Sequence, residues 1–287
     1  MEGYKFPLGV IGQSFVELLV RHAQPEVNAF VWLCFRLDHG FEYVFSAAPP
    51  YVWVVLAGAA AWRFSNWKTA SFCSLGLLVL WNQRLWSATI ATLSLVLTST
   101  VMSLIIAIPL GIALAESRVV RNFLTPVLDF LQTMPRFVYL IPALVLFGID
   151  IPPAVFASMT LAIPPAARFT CTGLMQVDEQ VVEAAKAFGS SPWRILTRVK
   201  LPLASPAIMV GSGQALMMAL SMAVIASLIG AEGLGEDVLR AIAVLNAGQG
   251  FVAGFGIFVL AVLIERVASG CAARLGPRTG RSDHRSF

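Results

Sequence analysis

The sequence predicts an all-α, polytopic membrane protein, and three observations carry that reading. Of its 287 residues 57% are hydrophobic and only 13% are charged, with a mean hydropathy of +0.78; a soluble domain carries roughly 25% charged residues. Three runs, 87–115, 201–231 and 241–264, hold no charged side chain, and each exceeds the ~20 apolar residues that carry a helix across a bilayer. Basic residues gather in the short stretches between apolar runs, as they do on the cytoplasmic face of membrane proteins.

In chain order, seven runs are expected to span: 46–62, 69–83, 87–115, 123–149, 151–173, 205–231 and 250–270. Before them, residues 1–45 contain no long apolar run. Glu2, Lys5, Glu17, Arg21 and Glu26 leave no apolar core for a cleaved signal peptide. The apolar stretch 27–35, flanked by charges, reads as an interfacial helix. Residues 46–86 form two accessory spans, of which 69–83 is short for a bilayer. Trp62 and Trp67 mark one membrane interface, and Trp81 and Trp86 the other. In the third run Pro109 and Gly111 are placed to kink the helix. The fourth contains Asp129, which Arg118 or Arg121 is expected to neutralise, and Arg136, just beyond a predicted break at Pro135 where freed carbonyls or Asp129 would receive it. Gly211, Gly213, Gly250, Gly254 and Gly256 mark close-packing faces. The tail 271–287 is basic, and from Gly276 it reads as disordered.

With seven spans in alternation, fourteen of the twenty basic residues fall on one side. Glu26, Asp38, Glu42, Asp150, Glu232, Glu236 and Asp237 fall on the other. The basic side is then cytoplasmic, which puts the C-terminus inside and the N-terminus outside. If 69–83 does not cross, the N-terminus moves inside.

Several functions are excluded by the same inventory. The net charge of +4 resides in loops between spans and is no nucleic-acid signal. Cys34, Cys73, Cys171 and Cys271 form no CxxC pair, and His22, His39 and His284 lie outside the apolar runs. No disulfide framework, metal site or nucleophile–base constellation is therefore expected. The chain has no GxxxxGK[ST] loop, so it is not expected to bind ATP itself.

The informative stretch is the loop 176–205, QVDEQVVEAAKAFGSSPWRILTRVKLPLAS. Asp178 and Glu179 suit the positive end of a helix that begins there. Gly189 supplies the left-handed residue that ends it. Ser191-Pro192 then serves as N-cap and first-turn pair of a second helix, which Leu201-Pro202 is expected to terminate.

This loop resembles the EAA loop of permease subunits in binding-protein-dependent ABC importers: EAA, three residues, Gly, nine residues, Ile-x-Leu-Pro. Glu183, Ala184, Ala185, Gly189, Leu201 and Pro202 match in register, with Val199 at the Ile position. The resemblance implies the transmembrane domain of a type I ABC importer, with residues 87–270 as its core. It also implies that the first loop helix docks on a separate ATPase subunit, which holds the ATP and Mg2+, and that a substrate-binding protein and a second permease copy complete the assembly. The residue types suit docking: Ala184 and Ala185 permit close approach, Phe188 is an apolar knob, and Glu183 can pair with a basic residue. A plain solvated hairpin remains the bland alternative.

Gln132-Thr133-Met134-Pro135, the following FVYLIPALVLFGI and the later MMALSMAVIASLIGAEGLGEDVLRAI resemble permeases for glycine betaine, proline betaine and choline. A quaternary ammonium cannot donate hydrogen bonds and is held best by aromatic faces. In this family that cage is expected mainly in the binding protein, leaving the permease a gated path. Candidate path residues are Phe137, Tyr139, Met217, Met218, Ser221 and Met222, with ordinary helix packing as the alternative. Glu232, Glu236 and Asp237 form a candidate external acidic cluster that attracts a cationic solute or a basic protein surface, or simply follows the charge bias of outer loops. The expected function is an inner-membrane permease subunit without bond chemistry of its own. Two alternatives stay open: an ABC permease for another small solute such as an amino acid, and a proton-coupled secondary transporter using Asp129.

Overall fold

The computed structural model describes residues 24–275, which are helical with no strand among them. The expectations for residues 1–23 and for the tail 276–287 lie outside the described residues. Four helices are long and apolar enough to cross a membrane, and up to six when two sharply bent helix pairs each count as one span. The difference from seven lies in the accessory runs and the fourth run.

Helix α1 covers Gln24–Ser46. It is longer than the 27–35 segment expected from the sequence, and it packs along the central helices with Cys34 and Asp38 buried. Its apolar residues are interrupted by Arg36, Asp38 and Glu42, which hid the helix's length from a search for unbroken runs. After Ala47–Pro49 the chain turns through 98° into α2, Pro50–Phe64. Pro49 holds the extended conformation that breaks one helix, and Pro50 opens the next, where its missing N–H costs nothing. α3, Trp67–Asn82, is 16 residues long, about 24 Å at 1.5 Å per residue, short of the ~30 Å hydrocarbon layer.

The core is a three-helix contact. The middle helix is α7, Ile151–Met175, flanked by α4, Trp86–Glu116, and by α10, Leu201–Ala226. Small residues permit this approach. A side chain at Gly111 of α4 would stand 2.7 Å from the Ala167 carbonyl of α7. One at Gly173 would stand 2.6 Å from Ala207 of α10. Without a hydrophobic drive between helices in lipid, such backbone proximity is what holds them together. Gly111 thus serves packing, and Pro109 lies within one continuous α4. Of the glycines near the chain's end, Gly256 packs on Leu80 and Leu234, whereas Gly254 faces open space.

The fourth run is two helices. α5, Arg118–Thr133, and the segment Arg136–Phe147, whose last part is α6, Leu140–Phe147, meet at 107°. The break expected at Pro135 is present, and Tyr139 secures it. In an unbroken helix the Leu131 carbonyl would accept from residue 135, which is proline and has no N–H. The buried Tyr139 hydroxyl donates to that carbonyl instead.

Helix α12, Ala247–Leu275, packs on α10 and on the short α11, Leu234–Ala243, and receives α2 and α3 on its other side through Val54, Leu77, Leu80 and Val259. Arg274 fastens this end: it donates to the Arg63 carbonyl, and its guanidinium stands 4.6 Å over the Phe64 ring.

Candidate functional site

The loop between α7 and α10 is a helical hairpin. Its first arm, α8, covers Glu179–Ala187 and starts at Asp178, whose carboxylate accepts from the Gln180 amide at 2.9 Å. The arm ends in a double-bonded stop: Gly189 N–H donates to Lys186 O at 2.9 Å and Ser190 N–H to Ala185 O at 3.1 Å. Gly189 at φ +75° makes both bonds possible. The second arm begins at Ser191, which is extended, with Pro192 in the first turn of α9, Pro192–Ile195. Ser191 caps by backbone geometry alone, without the side-chain bond its residue type allows.

The expected stop at Leu201-Pro202 is absent. The helix continues through residues Leu196–Lys200 as a π turn, in which Leu201 N–H donates to Leu196 O, and runs on into α10. Pro192–Ile229 is consequently one helix of 38 residues. The wider turn accommodates the proline ring that would clash in an α turn. One turn later Pro206 deprives the Pro202 carbonyl of its partner, and the Ser205 hydroxyl donates to it at 2.7 Å.

Val182 and Ile195 are the buried side chains of the hairpin. Much of the remaining surface is exposed. Glu183 and Ala184 are open, Ala185 is half-buried, and Phe188 is 91% exposed. Leu201 is half-buried and Pro202 exposed at the root of the second arm. Trp193, 70% exposed, and Val181 are also open on the hairpin. Neither was singled out from the sequence; the signal was a large aromatic side chain directly after Ser-Pro in a polar loop. The hairpin thus carries bulky apolar side chains in the open, at Val181, Phe188 and Trp193.

The candidate path residues do not share one environment. Phe137 is 57% exposed on the short turn Arg136–Tyr139. Tyr139 and Met222 are buried in helix packing. Met217, Met218 and Ser221 are half-buried on α10, with the Ser221 hydroxyl donating to Met217 O at 3.0 Å.

The acidic cluster divides. Glu236 pairs with Arg240 one turn along α11, and Asp237 shares a cavity with Arg240, Gln83 and Gln249. Burial raises the Asp237 pKa, Arg240 opposes this, and Glu236 adds to it. Glu232 lies apart, beside Asp38, Glu42 and Asp150. Asp129 pairs with Arg168 of α7 rather than with Arg118, Arg121 or Arg136; Arg121 contacts Met175 Sδ at 2.9 Å.

The family described as "Binding-protein-dependent transport system inner membrane component" matches residues 107–281. The glycine betaine/carnitine transport permease protein GbuB of Listeria monocytogenes is 46% identical over 231 residues, 79% of this chain and 82% of that one. The glycine betaine/proline betaine transport system permease protein ProW of Escherichia coli is 41% identical over 252 residues, covering 88% and 71%. Among solved structures, an inward-facing MetNI methionine ABC transporter chain superposes with a TM-score of 0.63 at 20% identity, covering 67% of this chain and 96% of that chain. That likeness shows a shared fold.

Proposed function

The chain belongs to the family of binding-protein-dependent transport system inner membrane components, and on that premise we propose that it is the permease subunit of an ABC importer for a quaternary ammonium compound. Glycine betaine, proline betaine and choline are the solutes of this chemistry. The observation that carries the reading is identity of 41–46% to glycine betaine permeases over most of both chains. The exposed, doubly capped hairpin supports it.

The protein is a multi-pass inner-membrane permease. The hairpin and the C-terminus face the cytoplasm. α8 seats in a separate ATPase subunit, which holds ATP and Mg2+, with Phe188 as the inserted knob, Ala184 and Ala185 at the closest approach, and Glu183 paired to a basic residue. This chain makes and breaks no bonds. It orients the hairpin and transmits closure of the ATPase into the membrane. A second copy completes the pathway, and the apolar ridge Phe137, Ile141 and Val145, all exposed at four-residue spacing, suits that contact. Phe137, Met217, Met218 and Ser221 border the path, with Tyr139 and Met222 fixing the helices behind them. An external binding protein delivers the solute.

A proton-driven carrier working through Asp129 is disfavoured, because that carboxylate already has a guanidinium partner. The test is uptake of radiolabelled glycine betaine and choline into proteoliposomes holding the permease, its ATPase and its binding protein. ATP-dependent accumulation of either supports the reading. Hydrolysis in an intact assembly without uptake of either discards the substrate class.

A further inference from the structure

A cavity of about 310 Å³ lies where α1 meets α4 and the two loops that lead into α7 and α11. Asp38, His39 and Glu42 of α1, Asp150 before α7 and Glu232 before α11 line it, with Phe35 beside them. Among the described residues lining it there is no lysine or arginine, and none of the four carboxylates joins an ion pair. Asp150 accepts from the Ile151 amide at 2.7 Å, which fixes its side chain at the rim. Asp38 is different. It is only 5% exposed, its Oδ1 has no hydrogen-bond partner, and beside it stands Thr98 of α4, whose hydroxyl is also buried and unpartnered.

Removing a carboxylate from water is costly unless an opposite charge or donors replace the lost hydration. Three further acids nearby raise that cost. His39 and the Thr98 hydroxyl beside Asp38 offset part of it; the remainder is relieved by a proton on Asp38 or by a cation in the cavity. A small metal ion needs ligands that converge within about 2.0–2.6 Å, and among the described residues no three acidic, histidine or cysteine side chains do so. A cation that reaches several separated carboxylates must be wide, with its charge spread over its surface. An alkylammonium head is such a cation: it needs no acceptor at a fixed angle, tolerates the apolar floor formed by Leu95, and gains from the Phe35 ring.

We propose that this cavity is a receiving site in the permease itself for the alkylammonium end of the transported solute, held by Asp38, Glu42, Asp150 and Glu232. The inference rests on the transport reading above and extends it. With no lysine or arginine in its lining, and with His39 Nδ1 already engaged at 2.9 Å by the Phe35 carbonyl, the site reads the ammonium end alone, and a betaine's carboxylate points back toward the mouth. A net cation such as choline therefore binds here more tightly than the zwitterion glycine betaine, whatever the binding protein prefers.

The experiment uses the permease–ATPase complex in nanodiscs, without binding protein, and radiolabelled tetramethylammonium as the probe. Expected are saturable binding, displacement by choline at lower concentration than by glycine betaine, and roughly tenfold weaker binding in Asp38→Asn and in Glu42→Gln. Glu42 is exposed, so its variant tests the site even if Asp38→Asn fails to assemble. Absence of saturable binding, binding by both variants as tight as by the wild type, or displacement by Mg2+ in preference to choline overturns the proposal; the first two outcomes fit a protonated Asp38 and the last a metal site. Uptake by the complete wild-type system separates the two levels. Intact uptake without probe binding removes this site alone, whereas no uptake removes the transport reading beneath it.

Discussion

Lys200 Nζ lies 2.6 Å from Glu116 Oε1, joining the root of the loop hairpin to the last turn of α4 across 84 residues of chain. Both side chains retain solvent, at 23% and 45% exposure, so the pair contributes about 0.2–1 kcal/mol. Its value is directional: it ties the π-turn segment to a core helix. Lys200→Glu is expected to lower uptake roughly twofold to fivefold while ATP hydrolysis persists. Adding Glu116→Lys restores uptake, read in proteoliposomes with both activities measured together.

Gly189 tests the hairpin's angle. Nothing lies within 4 Å of a Cβ placed there, so substitution meets no steric obstacle beyond its backbone angle of φ +75°. An L-residue in that conformation costs roughly 1–2 kcal/mol. Gly189→Asp is expected to insert normally yet uncouple hydrolysis from uptake. Gly189→Asn, which tolerates the left-handed region better, retains more uptake. Equal, well-coupled uptake by both variants removes Gly189 from the coupling role.

Tyr139→Phe deletes the donor that replaces Pro135's missing N–H at the Leu131 carbonyl. A buried carbonyl left unpaired costs about 1–3 kcal/mol, and thermal unfolding of the purified subunit reads it. Pro135→Ala in the Tyr139→Phe background supplies a backbone donor and recovers part of the loss. No loss in the single variant shows that the bend is held by packing alone.

Asp129→Asn keeps ATP-dependent uptake, because its carboxylate serves the pair with Arg168. In vesicles with enclosed ATP, a protonophore leaves that uptake unchanged. Collapse of uptake on adding protonophore, with ATP still present, points to a proton-driven carrier.

Glu236→Gln leaves solute affinity within about twofold at low salt, since Arg240 already offsets that charge. A marked salt-dependent loss of affinity in uptake assays returns Glu236 to the acidic surface that the sequence suggested.

The features legible from sequence are those governed by neighbours in the chain. Gly189 is read as a stop because its requirement is local, and the Pro135 break follows from a missing N–H. The long spans follow from charge-free length. What escaped depends on distant residues. Arg168 reaches Asp129 from 39 positions away, past the nearer arginines that sequence proximity favoured. Pro202 breaks nothing because a π turn and Lys200's partner on α4 hold the helix through it. The gathering of Asp38, Glu42, Asp150 and Glu232 is a tertiary event, for which the chain shows only scattered acids.

Because Pro192–Ile229 is unbroken over 38 residues, it is a lever about 57 Å long. Each degree of tilt imposed at its Trp193 end moves the Ile229 end by about 1 Å. A small shift at the hairpin thus becomes a displacement on the scale of a methyl group or more at the opposite face. Glu232, three residues beyond Ile229, would travel with it, and a cavity wall that moves with the stroke can both receive a solute and release it.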